Sequence, residues 1–121
     1  MGIRVSCAIE DLRSPRKSVT VKKMMVDTGA EYAWIPEEEL KRAAVTVRKK
    51  DVSFVMANGE KITRDVGYAL IRCGQFETVE EVVFGHRGDL KLLGSRTLEG
   101  FGAVVDARRK KLIAAGPLPV A

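Results

Sequence analysis

The tetrapeptide Asp27-Thr28-Gly29-Ala30 is the part of the sequence whose residue types could do chemistry. An apolar segment, Met24-Met25-Val26, runs directly into it, and a second one, Trp34-Ile35, follows a few residues later. This pattern predicts a carboxylate at a tight turn that emerges from buried sheet. Such a carboxylate is a candidate for acid–base chemistry, and the simpler alternative is a turn aspartate that binds its own backbone.

The elements that must position this turn are mostly strands. Alternating apolar residues over 3–9 and 19–21 predict a hairpin of two half-buried strands, the second of which leads into Asp27. Segment 36–44 begins with proline, has acids in its first turn and bases in its last, and so predicts a short helix. Strand patterns return between 45 and 84, where Asn58-Gly59 predicts a tight hairpin turn.

The remaining residues continue this pattern to the end of the chain. Leu92-Leu93 predicts a short buried strand, and Ser95 can cap a short helix that ends at Gly100 or Gly102. A last hairpin carries the basic turn Arg108-Arg109-Lys110-Lys111, which we interpret as a solvated corner. We therefore expect a single strand-rich domain over residues 1–121.

Composition and charge limit the possible functions. A chain of 121 residues has room for one domain but not for a two-lobed enzyme. The net charge of +5 is compatible with an acidic partner or nucleic acid, but the bases are spread along the chain. An apolar stretch of the length that spans a membrane, about 18 residues, does not occur, so we expect no membrane partner.

Metal and thiol chemistry have few residues to draw on. The chain contains two cysteines, Cys7 and Cys73, and one histidine, His86, which are too few for a disulfide framework or a zinc cluster. We therefore expect no metal, no organic cofactor and two reduced thiols in a cytoplasmic protein.

A resemblance to a known family rests on two separated blocks. Val26-Asp27-Thr28-Gly29-Ala30, with the later Leu92-Leu93-Gly94, Leu98-Glu99 and Gly102, resembles the retropepsin-like aspartic proteases over most of the chain. The resemblance implies an all-β, closed-barrel acid-protease domain with one or two short helices, which forms a twofold homodimer. It further implies an aspartic endopeptidase that acts on peptide or protein substrates without a cofactor.

The same resemblance implies roles for individual residues. Asp27 would be catalytic, Thr28 would brace the two turns across the dimer axis, and Gly29 and Ala30 would support the catalytic loop. A flap hairpin would close over the peptide, with Met56, Ala57, Asn58 and Gly59 as its substrate-binding residues.

Elementary chemistry agrees with the implied dimer. Peptide hydrolysis by carboxylates needs two of them, one to take a proton from water and one to give a proton to the carbonyl oxygen. Two neighbouring carboxylates cannot both ionise readily, so they share a proton and divide these roles. Since the chain has one Asp-Thr-Gly, Asp27 of each subunit must meet its mate across a twofold axis.

Two other classes of function stay open. The first is a non-catalytic homodimer of the same fold that binds an extended peptide under its flap. The second is a basic β-barrel that binds nucleic acid. This alternative is weaker, because few aromatic residues interleave with the basic ones.

Overall fold

Strands make up most of the molecule, as the alternating apolar pattern predicts. The computed structural model describes residues 2–120, without the side chains of residues 15 and 16, so the two ends of the predicted 1–121 domain lie outside the described residues. The strands are β1 (Ile3–Asp11), β2 (Ser14–Val26), β3 (Ala33–Pro36), β4 (Val47–Val55), β5 (Lys61–Cys73), β6 (Phe76–Gly85), β7 (Leu92–Leu93), β8 (Ala103–Asp106) and β9 (Lys111–Ala114). The helices are α1 (Glu37–Arg42) and α2 (Ser95–Phe101).

The first hairpin forms as predicted and brings the chain to Asp27. β1 and β2 are antiparallel, with Ile3 opposite Val26 and Ile9 opposite Val19. Ile9 of β1 and Met24 of β2 are fully buried. Residues two apart on a strand share one face, and on both strands one face meets the core. β2 therefore reaches the interior before the chain turns at Asp27.

The main sheet has seven strands in the order β1-β2-β7-β3-β6-β5-β4. The short strand β7 is parallel to β2 and antiparallel to β3, so it lies between the strands that enter and leave the Asp27 turn. β1 also pairs with β5, and the pairings therefore run in a circuit through six of the seven strands. β8 and β9 form a separate two-stranded sheet.

Both helices are short, and each lies close to where it was predicted. α1 has acids at its first three positions and bases at its last two, and its Leu40 is fully buried. α2 ends at Gly102, which has a left-handed backbone with φ of 67°. The prediction that Ser95 caps α2 is wrong, because Gly94 occupies the cap position and no side chain caps the helix.

The core lies inside the main sheet and is closed on one side by α1. Its fully buried side chains include Met24, Ile35, Leu40, Ile71 and Leu93. Five different elements supply these residues, so the segments around Asp27 are anchored in one shared core. Within residues 2–120, no helix has the length and apolar character needed to cross a membrane.

Cys7 and Cys73 form a disulfide, so the prediction of two reduced thiols is wrong. The bond connects β1 to β5, next to the pair Ala8 and Arg72 in their antiparallel register. The two Cα atoms are 4.5 Å apart, and both side chains are buried. Because the two cysteines are 66 positions apart in the sequence, local sequence patterns do not reveal that they meet.

Removing this disulfide should lower stability substantially. In the chain-entropy account, opening a loop of 66 residues costs about 4 kcal/mol of unfolding free energy, since the unfolded chain regains its freedom. We expect this loss in the double variant Cys7→Ala/Cys73→Ala and in the wild type under dithiothreitol, as measured by urea unfolding. Dithiothreitol should leave the double variant unchanged, and equal stability of reduced and oxidised wild type would contradict the bond's role.

Candidate active site

Asp27 follows the last residue of β2 and is partly buried. Its Oδ1 accepts a hydrogen bond from the Gly29 backbone N–H at 2.9 Å, and its carbonyl oxygen accepts one from Ala30 at 3.1 Å. Thr28 and Gly29 are exposed at the tip of the turn. The predicted turn is therefore present, and it holds the Asp27 carboxylate in a fixed orientation while leaving the neighbouring residues accessible.

Backbone hydrogen bonds from a distant segment hold this turn in place. The N–H of Asp27 donates to the Leu93 carbonyl at 3.0 Å, and the N–H of Ser95 donates to the Ala30 carbonyl at 2.7 Å. Between these bonds lies Gly94, at which an added Cβ would stand 2.6 Å from the Glu31 carbonyl oxygen. Only glycine permits this approach of two backbones, which accounts for the Leu-Leu-Gly pattern of the sequence.

Asp27 lies in a cleft with a volume of about 620 Å³. One wall comes from the turn and β3, a second from the hairpin of β4 and β5, which we call the cover hairpin, and a third from the loop after β6. The lining residues are Asp27, Gly29, Ala30, Glu31, Tyr32, Trp34, Ser53, Phe54, Val55, Met56, Ala57, Gly88, Asp89, Leu90 and Leu92. The cleft is mostly apolar and has carboxylates at Asp27, Glu31 and Asp89.

The tip of the cover hairpin has the turn that Asn58-Gly59 predicts. The Met56 N–H donates to the Glu60 carbonyl at 2.8 Å, Asn58 Oδ1 accepts from the Glu60 N–H at 2.9 Å, and Gly59 has a φ of 86°. Among the four predicted flap residues, Met56 and Ala57 line the Asp27 cleft. Asn58 and Gly59 form the exposed turn beyond it.

Three aromatic side chains connect β3 to the cover hairpin. Phe54 meets the ring of Trp34 at a centroid distance of 5.1 Å and that of Tyr32 at 5.7 Å, both edge to face. The Arg96 guanidinium lies 4.6 Å from the centre of the Tyr32 ring and 3.5 Å from the Glu31 carboxylate. Sequence reasoning missed this cluster, since its members come from three separate elements.

An ion pair connects the cover hairpin to the loop after β6. Arg64 Nε donates to Asp89 Oδ2 at 2.8 Å, and Arg64 Nη2 donates to Asp89 Oδ1 at 3.0 Å. The His86 backbone N–H also donates to Asp89 Oδ2, at 2.7 Å. The hydrogen bonds from Arg64 lower the pKa of Asp89 below its ordinary value of 3.8. Sequence analysis gave no signal for this pair, because both partners stand among other charged residues.

Asp106, which ends an apolar strand, and the single histidine, His86, do not line the cleft. Asp106 accepts a hydrogen bond from the Arg109 backbone at 3.1 Å within the predicted basic turn, and His86 is exposed with its Nε2 3.7 Å from a Glu37 oxygen. The described part of the chain contains no group of three or more histidine, cysteine, aspartate or glutamate side chains that could hold a metal ion.

Known proteins match this chain both in sequence and in fold. The model of a family described as gag-polyprotein putative aspartyl protease matches residues 18–100, more than half of the chain. The solved structure of EIAV protease complexed with the inhibitor HBY-793 is similar, with a TM-score of 0.56 and 15% sequence identity. That similarity covers 87% of this chain and 92% of the EIAV chain, and at such identity it shows the fold alone. No curated protein sequence matches.

A methyl group at position 94 should disturb the Asp27 turn. We expect Gly94→Ala to lose about 1–3 kcal/mol of unfolding free energy, the usual cost of overpacking, because its Cβ meets two carbonyl oxygens at 2.6 Å. Gly85→Ala is the matched control, since its nearest contact is 3.3 Å from a carbonyl oxygen. Urea unfolding measures both variants, and an equal effect at the two positions would contradict the close approach.

Stability should depend on pH through Asp89. Its folded-state pKa is lowered, so the unfolded chain binds more protons near pH 4, and stability rises with pH there. The contribution is complete above the ordinary pKa of 3.8 and disappears as pH falls through the lower folded-state value. Urea unfolding across this range should show a weaker pH dependence in Asp89→Asn and in Arg64→Gln, and an unchanged dependence would refute the pair's contribution.

Proposed function

Because the chain belongs to the gag-polyprotein putative aspartyl protease family, we propose that it is an aspartic endopeptidase whose active site assembles from two copies of the chain. The observation that carries the proposal is the position of Asp27. This residue is a partly buried carboxylate on a braced turn, and it lies in a cleft of about 620 Å³ with a hairpin along one side. An extended peptide in that cleft would pass directly over the carboxylate.

The proposed chemistry is acid–base hydrolysis by a pair of Asp27 side chains. One carboxylate takes a proton from water while the other, protonated, donates to the carbonyl oxygen of the peptide bond. The two groups share one proton because two adjacent negative charges repel each other. No covalent intermediate with the protein is needed, since water itself attacks the peptide carbonyl.

Exposure of the turn supports the proposed dimer. Thr28 and Gly29 lie at the surface of the single chain, where a second copy can reach them. In the proposed dimer, Thr28 braces the paired turns, Gly29 leaves room for the substrate backbone, and Ala30 supports the loop. A twofold axis beside the turns brings the two Asp27 carboxylates together.

The surrounding sheet supports the same proposal. The circuit of strand pairings through β1 and β5 is the arrangement expected of a closed barrel. Such a barrel gives the turn a rigid base, while the cover hairpin extends from it and can close over a peptide. Met56 and Ala57 are the hairpin residues in position to contact that peptide, because they line the cleft.

Replacing the Asp27 carboxylate tests the activity. We expect Asp27→Asn to cleave β-casein, an unstructured protein, at least about 100-fold more slowly than the wild type between pH 4 and pH 7, since acid–base catalysis is lost. The matched control is Asp106→Asn, which also removes an aspartate at the end of an apolar strand, but one that accepts a hydrogen bond from the basic turn, away from the cleft. Control activity should remain at the wild-type level.

Mixing the two proteins tests the shared site. Adding excess Asp27→Asn to a fixed amount of wild type should reduce cleavage, because mixed dimers contain only one carboxylate of the pair. Equal activity of wild type and Asp27→Asn would reject the protease proposal, and cleavage unaffected by the added variant would reject the dimer. Peptide binding without any cleavage by the wild type would favour the non-catalytic module.

A further inference from the structure

The ion pair between Arg64 and Asp89 joins two walls of the cleft that are far apart in sequence. Its two hydrogen bonds, at 2.8 and 3.0 Å, are parallel, which makes the contact directional as well as attractive. The side chains are 13% and 17% exposed, so water screens them less than it screens the other ion pairs of the hairpin. Lys49 and Glu81, for comparison, are 49% and 20% exposed.

Each partner belongs to a different wall. Arg64 lies on β5, opposite Val52 of β4. Val52 is two residues from Phe54 on the same strand, and Phe54 lines the cleft. Asp89 and its neighbour Leu90, which is 65% exposed, both line the cleft. The ion pair therefore connects the cover hairpin to the loop beside residues that line the cleft.

Asp89 is also fixed on its own side. The backbone N–H of His86 donates to the same carboxylate that binds Arg64, and the Asp89 N–H donates to the His86 carbonyl at 3.0 Å. The loop therefore holds the Asp89 carboxylate through its own backbone, independently of the bond to the hairpin. Because the Asp89 side chain is held in this way, a movement of Arg64 is coupled to the position of the loop.

We propose that Arg64 and Asp89 act as a positioning pair that holds the cover hairpin at a fixed distance from the loop at residues 86–91 and so sets the width of the peptide cleft. This inference rests on the proposed protease function. The pair does not touch the reacting atoms, and it acts on substrate by positioning Phe54 on one side of the cleft and the cleft-lining residues Asp89 and Leu90 on the other.

The aromatic cluster alone does not fix this distance. Phe54 packs against Tyr32 and Trp34, which holds the hairpin to β3, but neither partner belongs to the loop that carries Leu90. Without the ion pair, the hairpin can pivot on Phe54 and widen the cleft on the loop side. The Glu37 and Glu60 carboxylates also raise the pKa of Arg64, but less than Asp89 does.

Kinetics of the full chain test the pair through substrate binding. With a fluorescence-quenched peptide that carries the main β-casein cleavage site, Arg64→Gln and Asp89→Asn should each raise KM about tenfold and change kcat much less, because charged hydrogen bonds that hold the cleft are lost. The double variant should match the single ones, since either change already breaks the pair. Asp89→Glu should restore part of the wild-type KM.

The matched control is Arg72→Gln. Arg72 also lies on β5 and binds two carboxylates, Glu10 and Glu77, at 2.9 and 3.1 Å, but neither of these carboxylates lines the cleft as Asp89 does. If a loss of stability alone caused the effect, Arg72→Gln would raise KM as much as Asp89→Asn does. Equal KM shifts in the two variants, or additive shifts in the double variant, would overturn the proposal.

Hydrogen exchange separates this inference from the protease function. In Asp89→Asn the amide of Met56, which binds the Glu60 carbonyl in the wild type, should exchange about tenfold faster, while it stays unchanged in Arg72→Gln. If the wild type cleaves no substrate but this difference is seen, the protease proposal fails and the positioning pair stands. If exchange at the hairpin is the same in all variants, the positioning pair is rejected whether or not the wild type is active.

Discussion

The structure depends on the close approach of two backbone segments, 27–31 and 93–96. Three backbone hydrogen bonds join them, from Asp27 N–H to Leu93, from Ser95 N–H to Ala30 and from Arg96 N–H to Glu31, at 3.0, 2.7 and 3.2 Å. The approach is possible because Gly94 has no Cβ and because β7 fits between β2 and β3. The carboxylate is therefore oriented by main-chain geometry, which side-chain motion does not alter.

Most of the local structure could be predicted from the sequence. Alternation of apolar residues is enough to place β1 and β2, and Asn58-Gly59 is enough to place the hairpin turn. The Asp27 turn also follows from its flanking apolar segments. These features depend on residues within a few positions of one another, and such short-range preferences are the part of folding that a single sequence expresses most directly.

The features that the sequence did not predict all join distant segments. The Cys7 to Cys73 bond depends on the register of β1 against β5, and the partner of Arg64 depends on how a hairpin leans towards a loop. The residue type of Ser95 predicts that it caps α2, whereas the backbone approach at Gly94 decides the actual boundary. In each case tertiary geometry outweighs the local preference of the residue.

The disulfide has a further consequence for a protein proposed to cut peptide chains. Cys7 and Cys73 enclose the Asp27 turn, α1 and the whole cover hairpin within one covalent loop. A single cut in the exposed tip at Asn58-Gly59, by another copy or by any other protease, leaves both fragments joined through sulfur. The oxidised chain is thus nicked without being divided, and the same cut in the reduced chain leaves two fragments with no covalent bond between them.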